Sequence, residues 1–514
     1  MKTQSTENQK AKQANSFSFI ETKSWKLSTN MVLVIGFLLA LIVAIAVNFT
    51  TIYPSILLIG GVFAIVLFIA VLQRPEIGAY LLIFSVFTNL SDLFTEKGLP
   101  SINKPLVGIL LLSIFVNYIF RTGKLSPAPK LSRIEIALFA YCTVVFASYF
   151  VAVNQPRAIS YILDLMKDIT TGVCIYLTLN TRDKWKSGAR VLIFAVTFVS
   201  ILGVIHTLTG TERTFWGFAQ QSAFGQTNAS GDLRFGGPIG ESNIWGQVLV
   251  SIIPFALYRV AKEPKQTSKF IYLLASLFIL LCVFFTESRG AFLALAAIIA
   301  LIAMEMRIKS STLTVAVIFG ILFLFLLPSK YTERIKTLDV FFRPDQEYGL
   351  TQDESVEGRR NKMLTGLAMY EANPFLGVGF ANYTDNYYSY AEDLGVESAV
   401  KNIETRREPH SLYIEIMAET GTFGILTFMA FLGLIFSGLY QVRKKYINSK
   451  SIPNINWAAW VTSILMSLLT FLIAGLFLHG IGFRYIWILA GMSLAFIHIA
   501  KSEPSEKQTF RSIK

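Results

Sequence analysis

Apolar stretches of about twenty residues, the length of a membrane-crossing helix, recur from Met31 almost to the end of the chain, parted by short polar turns. They predict spans near 31–48, 55–72, 76–91, 105–120, 134–153, 158–179, 190–208, 243–260, 270–286, 291–304, 312–328, 411–440, 455–478 and 484–500. Backbone groups in lipid must pair within their own segment, so each run is read as helix. The runs are continuous rather than alternating, which excludes a β-barrel. Between Lys330 and Pro409 the series stops for a long polar stretch. Remaining in lipid requires no such loop, whereas long loops on a rigid scaffold are where binding and catalytic residues gather. The expectation is an all-α polytopic membrane protein with about 14 (12–14) transmembrane helices and one large extracytoplasmic loop carrying short helices. In residues, that is a polar tail (1–30), eleven spans over 31–328 with an outer loop at 209–242, the large loop 329–410, three spans over 411–500 and a second tail (501–514).

Composition agrees: 53% of the 514 residues are hydrophobic and only 15% charged, far below the quarter usual for soluble domains. The net charge of +13 is explained by membrane orientation rather than by nucleic acid. With the N-terminus inside, the basic clusters Arg121/Lys124/Lys130/Arg133, Arg182/Lys184/Lys186/Arg190, Arg259/Lys262/Lys265/Lys269, Arg307/Lys309 and Arg443/Lys444/Lys445 all fall on the cytoplasmic side, as the positive-inside rule requires. Both tails are then cytoplasmic and the number of spans is even. No short apolar region with a small-residue cleavage site opens the chain, so the N-terminus is not read as a cleaved signal. Cys142, Cys174 and Cys282 all lie in spans, form neither a disulfide framework nor a metal spacing, and read as packing residues.

The outer segments favour arginine over lysine (Arg157, Arg213, Arg234, Arg289, Arg334, Arg343, Arg359, Arg360, Arg406, Arg407 and Arg484). Arginine is the better fork for phosphate or carboxylate, although solvated loop charges give the same list. Arg234 precedes Gly236-Gly237-Pro238 and the start of a span at Glu241-Ser242-Asn243. Asn243 or Ser242 can cap that helix, and a helix N-terminus beside an arginine also seats an anion. Arg289 sits in the hairpin Thr286–Gly290, either paired with Glu287, snorkelling to lipid phosphates, or facing a cleft. Gly358-Arg359-Arg360 precedes a predicted amphipathic surface helix with Met363, Leu364, Leu367 and Tyr370 at helical spacing, ended by Asn373-Pro374, with Gly377 and Gly379 allowing a tight turn. Both arginines stand at the helix start, where the dipole does not call for cations. Of the four histidines, His206 and His498 fall in apolar runs and read as packing, His479 is ambiguous, and His410 stands at the outer mouth of a span, placed to take a proton near neutral pH. Arg157, Tyr161, Asp164 and Asp168 share one helical face beside Lys167, which reads as an internal ion-pair network or as a polar path.

His410-Ser411-Leu412-Tyr413 followed by Glu419-Thr420-Gly421-Thr422-Phe423-Gly424 resembles a motif of the O-antigen ligase/polymerase (Wzy/WaaL-like) superfamily. Arg234 with Glu241-Ser242-Asn243, Ser288-Arg289-Gly290-Ala291, and Gly358-Arg359 with Asn373-Pro374-Phe375-Leu376-Gly377-Val378-Gly379 agree in order, so the likeness covers roughly 210–440. The resemblance implies a GT-C-like fold and a metal-independent, inverting glycosyltransferase without cofactor, working outside the bacterial plasma membrane on glycan carried by undecaprenyl diphosphate. It implies His410 as the base, Arg234 and Arg289 holding the lipid diphosphate, and Arg359, Arg360, Arg157, Asn243 and Glu419 as further binding or mouth-shaping residues. Partners would be the lipid-linked donor, a glycan or lipid acceptor, membrane lipids, and a flippase or chain-length regulator. Polymerase is favoured over ligase because the family's polymerases serve more pathways. The competing reading is a secondary transporter or flippase for a polar or anionic solute, for which Asp164–Lys167–Asp168 is the candidate path.

Overall fold

The computed structural model describes residues 54–122, 132–211, 214–222, 234–309, 356–396, 407–449, 451–480 and 484–503. The expected spans 31–48 and 312–328, the N-terminal tail, the C-terminal tail past Glu503, Gly231–Leu233, and 329–355 and 397–406 of the large loop lie outside the described residues. The described chain is almost wholly helical: α1 (Pro54–Gln73), α2 (Pro75–Phe87), α3 (Leu90–Glu96), α4 (Asn103–Thr122), α5 (Arg133–Ser148), α6 (Gln155–Thr178), α7 (Arg182–Thr209), α8 (Ser242–Lys262), α9 (Gln266–Thr286), α10 (Arg289–Glu305), α11 (Val356–Ala372), α12 (Tyr383–Asp393), α13 (Leu412–Asn448), α14 (Ile452–Ala474) and α15 (Arg484–Ser502). A two-stranded antiparallel pair, β1 (Gln220–Gln221) with β2 (Phe235–Gly237), covers one end of α8.

This is an all-α polytopic membrane protein. Seven described helices (α5, α7, α8, α9, α13, α14 and α15) are long and apolar enough to cross a membrane, or eight if α2 and α3 form one bent span. The expected count of about fourteen is not reached among the described residues. There α6 carries Arg157, Asp164, Lys167 and Asp168, and α10 has 17 residues. The bend of 63° between α2 and α3 has a local cause. Asn89 adopts the left-handed region (φ 53°), which short polar side chains tolerate best after glycine, and its Nδ2 donates to Pro238 O at 2.9 Å.

The span windows of α8, α14 and α15 are each 83% buried against 22% for α5, so the first three form the centre of the bundle and α5 its rim. Without a hydrophobic force between helices in lipid, close packing depends on small residues. Gly172 of α6 and Gly491 of α15 meet backbone to backbone: a Cβ on Gly491 would stand 2.2 Å from Gly172 O, and one on Gly172 would stand 2.5 Å from Trp487 O.

At one end of the bundle, ion pairs tie basic segments to neighbouring helices. Arg182 donates from Nε and Nη2 to both Glu503 oxygens at 2.6 Å, and Tyr446 Oη donates to Glu503 Oε2 at 2.7 Å. Lys184 pairs with Glu76 at 3.1 Å. Arg443 pairs with Glu305, and the Arg259 guanidinium lies 3.9 Å over the Trp460 ring. The starts of α8, α10, α13 and α15 gather at the opposite end, where the large loop docks.

Candidate active site

The loop end is built around a break in α13. Gly421 has φ 65° and ψ −163° within the helix, which interrupts the helical hydrogen bonds. Pro374–Val378 takes up the groups left over: Thr422 N donates to Pro374 O at 2.7 Å, Phe423 N to Phe375 O at 3.4 Å, and Val378 N to Ala418 O at 2.8 Å. Only glycine fits at this seam. A Cβ on Gly421 would stand 2.3 Å from Phe375 O, and one on Gly377 (φ +66°) 2.4 Å from Ala418 O. Glu419, buried on α13, accepts from Ala381 N at 2.8 Å and Tyr383 N at 3.2 Å. The two glycine-containing motifs, with Gly377 and Gly421 44 residues apart in sequence, are therefore halves of one clasp that fastens the loop to α13.

The predicted amphipathic helix is present as α11, but its buried face differs from the expected one. Lys362, Thr365, Gly366 and Met369 are buried, whereas Leu364 is 39% exposed and Met363, Leu367 and Tyr370 are half-buried. The helix docks on protein rather than on lipid: Gly366 lies against Ile414 and Tyr383, and Tyr383 Oη donates to Lys362 O.

His410 stands just before α13 with φ 50°, a left-handed backbone that a non-glycine residue seldom keeps without support. The support comes from Gly475–Gly480, which follows α14. Leu412 N donates to Gly475 O at 2.8 Å, Gly480 N donates to Glu415 Oε2 at 2.7 Å, and the His479 ring meets His410 edge-on at 5.6 Å. His479 Nε2 lies 3.4 Å from Glu408 Oε2. His410 Nδ1 is enclosed without a hydrogen-bond partner among the described residues, although the residue as a whole keeps some exposure. Its Nε2 is thus the nitrogen left open. Burial first, and then the charges of Arg359, His479 and Lys362, hold the imidazole well below the usual histidine pKa. The group is held neutral beside Arg359 and Lys362.

Arg289 opens α10, buried at 3% exposure, with Ser288 capping the helix by accepting from Ala291 N at 3.4 Å. Gly290 packs on Phe477, so the Arg289 turn and the His410 turn rest on the same short segment, Gly475–Gly480. Behind Arg289 lies Arg234, 2% exposed. Its Nε and Nη2 donate to Thr286 O at 3.0 and 2.8 Å, and Nη2 also reaches Asn243 Oδ1 at 3.0 Å. Glu241, rather than Ser242 or Asn243, caps α8. Its carboxylate accepts from Asn243 N at 3.2 Å and Ile244 N at 2.7 Å.

Residues 274–429 match the O-antigen ligase family model, Wzy_C. Over that stretch, less than a third of the chain, the sequence is similar to the O-antigen ligase family. The match connects the protein to polysaccharide biosynthesis at a membrane. No curated protein matches the chain. The family stretch holds Arg289, Arg359, the clasp and His410; Arg234, Asn243 and His479 lie outside it. The remaining sequence candidates make no contact with His410 among those described. Arg360 is exposed, and Arg157 pairs with Asp385 of α12 at 3.1 Å and stacks on Tyr161. Three neighbours of His410, namely His479, Glu408 and Lys362, were not singled out by motif. Glu408 is two residues away in the chain, whereas His479 and Lys362 are brought there by the meeting of α14, α11 and α13. His206 and His498 pack against Phe235 and Tyr176 respectively.

Proposed function

We propose that the protein transfers glycan from a prenyl-diphosphate-linked donor to an acceptor hydroxyl at the loop end, on the extracytoplasmic side of the bacterial plasma membrane. The observation that carries this reading is His410: a neutral imidazole on strained backbone, facing the charges of Arg359 and Lys362, on the same support as the Arg289 turn. His410 Nε2 takes the acceptor's hydroxyl proton as its oxygen attacks the anomeric carbon. The bond from that carbon to the diphosphate oxygen breaks, and the leaving diphosphate keeps the electron pair. One displacement inverts the anomeric centre. Arg289 and Arg359 stabilise the growing phosphate charge, an effect of several kcal/mol per preorganised donor in a water-poor site. Arg234 holds the Arg289 turn through Thr286 O. Glu419 acts through the clasp and not on the phosphate, since a carboxylate there would repel it. Polymerase and ligase differ in the acceptor alone, another lipid-linked glycan or a different lipid or protein hydroxyl.

The test uses purified full-length protein in nanodiscs with a lipid-linked glycan donor and EDTA present. Wild type makes product without metal. His410→Ala lowers turnover by about 10²–10⁴, the usual contribution of a general base, and Arg289→Ala has an effect of similar size, both with an unchanged melting temperature. Undiminished product from either variant refutes the reading, and proton-coupled solute uptake into vesicles would replace it with transport.

A further inference from the structure

A cavity of about 260 Å³ lies among α3, α4, α6 and the start of α15, and none of its lining residues belongs to the His410 cluster or to the family stretch. Its cations are almost all engaged. Arg484 pairs with Asp92 through both terminal nitrogens, at 3.3 and 3.2 Å, and Lys167 pairs with Asp164 at 2.6 Å; Lys104 stands exposed at the mouth. The floor differs. Asp168 is 5% exposed, and its carboxylate makes no hydrogen bond or ion pair among the described residues. Asn103 Oδ1 is enclosed without a hydrogen-bond partner among the described residues. Leaving a buried acceptor unpaired costs about 1–3 kcal/mol, so a chain that turns Asn103 Oδ1 and a carboxylate without a hydrogen bond to one cavity presents them to something that donates.

The chemistry of the lining narrows the ligand. Asp92, Asp164 and Asp168 balance Arg484, Lys167 and Lys104 in formal charge, so the cavity attracts neither an anion nor a cation strongly. Ser91, Thr95, Ser101 and Thr171 add hydroxyls, and Val107 an apolar patch. Free acceptors, hydroxyls and zero net charge suit a polyol. Arg484 is five residues from His479, so their Cα atoms lie within about 18 Å of each other, the reach of an extended chain of that length. The cavity therefore stands a few sugar units from the proposed base. We propose that it seats a neutral sugar unit of the glycan, with Asp168 and Asn103 accepting its hydroxyl protons. This rests on the glycosyl-transfer reading above and adds the sugar class. The reaction centre lies in the family stretch, while this specificity site lies outside it.

The test is saturation-transfer NMR on the full chain in nanodiscs, with neutral hexose and N-acetylhexosamine oligosaccharides as one probe set and hexuronate oligosaccharides as the other. Neutral probes receive saturation and hexuronates do not. Asp168→Leu weakens binding about tenfold or more, the loss expected for a hydrogen bond to a charged acceptor, and Asp168→Asn, which keeps the shape, weakens it less. In turnover, Asp168→Asn raises KM and leaves kcat nearly unchanged. His410→Ala still binds the neutral probes. Neutral binding that is indifferent to Asp168→Leu in a folded variant, or no saturation of any saccharide by wild type, overturns the proposal. Saccharide binding without turnover would sink the catalytic reading and leave the site standing.

Discussion

His410 and Glu287 both hold positive φ, 50° and 49°, and each sits in a turn that delivers a charged or titratable side chain to the loop end. A non-glycine residue in that region costs on the order of 1–3 kcal/mol and persists only where its surroundings enforce it. Here the enforcing contacts are the Gly475 and Gly480 hydrogen bonds at His410 and the Arg234–Thr286 bonds at Glu287. The lowered His410 pKa fixes the sign of the pH dependence. In the proposed mechanism the neutral form is the base, and burial with Arg359, His479 and Lys362 disfavours the imidazolium. Turnover therefore persists below the ordinary histidine value of about 6.5 and falls only as pH drops through the lowered pKa. The acid limb of kcat/KM lies below 6.5 by that amount, and Arg359→Ala moves it upward. A limb in Arg359→Ala at the same pH as in wild type would remove Arg359 from the set of charges acting on His410. Stability follows the same sign: it is fully present above about 6.5 and declines below, because the unfolded chain takes a proton that the folded one refuses.

At the scale of elements, the clasp between Pro374–Val378 and the Gly421 break decides whether the loop is held. Gly377→Ala or Gly421→Ala places a methyl group against backbone oxygen in a left-handed conformation. Each is expected to lower the melting temperature and to abolish turnover, whereas Gly433→Ala, where nothing lies within 4 Å, leaves both unchanged. Differential scanning fluorimetry with a turnover assay checks the three together. This element also marks where sequence reading stops. Apolar periodicity located α8, α9, α10, α14 and α15 to within a few residues, and α7 and α13 with one end of each cut short; Gly377 was legible as a tight turn and Gly421 only as part of a motif. Their partnership was not, because hydrogen bonds across 40 to 48 residues leave no local period. The buried face of α11 was misread for a related reason. A stripe of Met363, Leu364, Leu367 and Tyr370 looks lipid-facing, but the surface that docks contains Lys362, Thr365 and Gly366, whose burial depends on the partner helix. The capping role of Glu241 was missed because Ser and Asn at the next two positions are commoner caps.

Over the whole molecule, the two ends differ in chemistry, and that difference assigns their sides. One end carries lysine-rich segments tied by Arg182–Glu503, Lys184–Glu76 and Arg443–Glu305, while the other carries the clasp, His410 and the arginine turns. By the positive-inside rule we propose that the first faces the cytoplasm. A diphosphate leaving group needs the second to be polar, enclosed and reachable sideways from the bilayer, which the separation of the two ends along helices such as α7 and α13 permits. The assignment is testable without activity. In a background with Cys142, Cys174 and Cys282 replaced by Ala, Lys97→Cys at the loop end and Lys444→Cys at the basic end are both exposed positions. A membrane-impermeant maleimide added to intact spheroplasts labels Lys97→Cys and spares Lys444→Cys, which reacts only after lysis. The reverse pattern inverts the molecule in the membrane, moves His410 and Arg289 to the cytoplasmic face, and removes the basis for glycan transfer outside the cell.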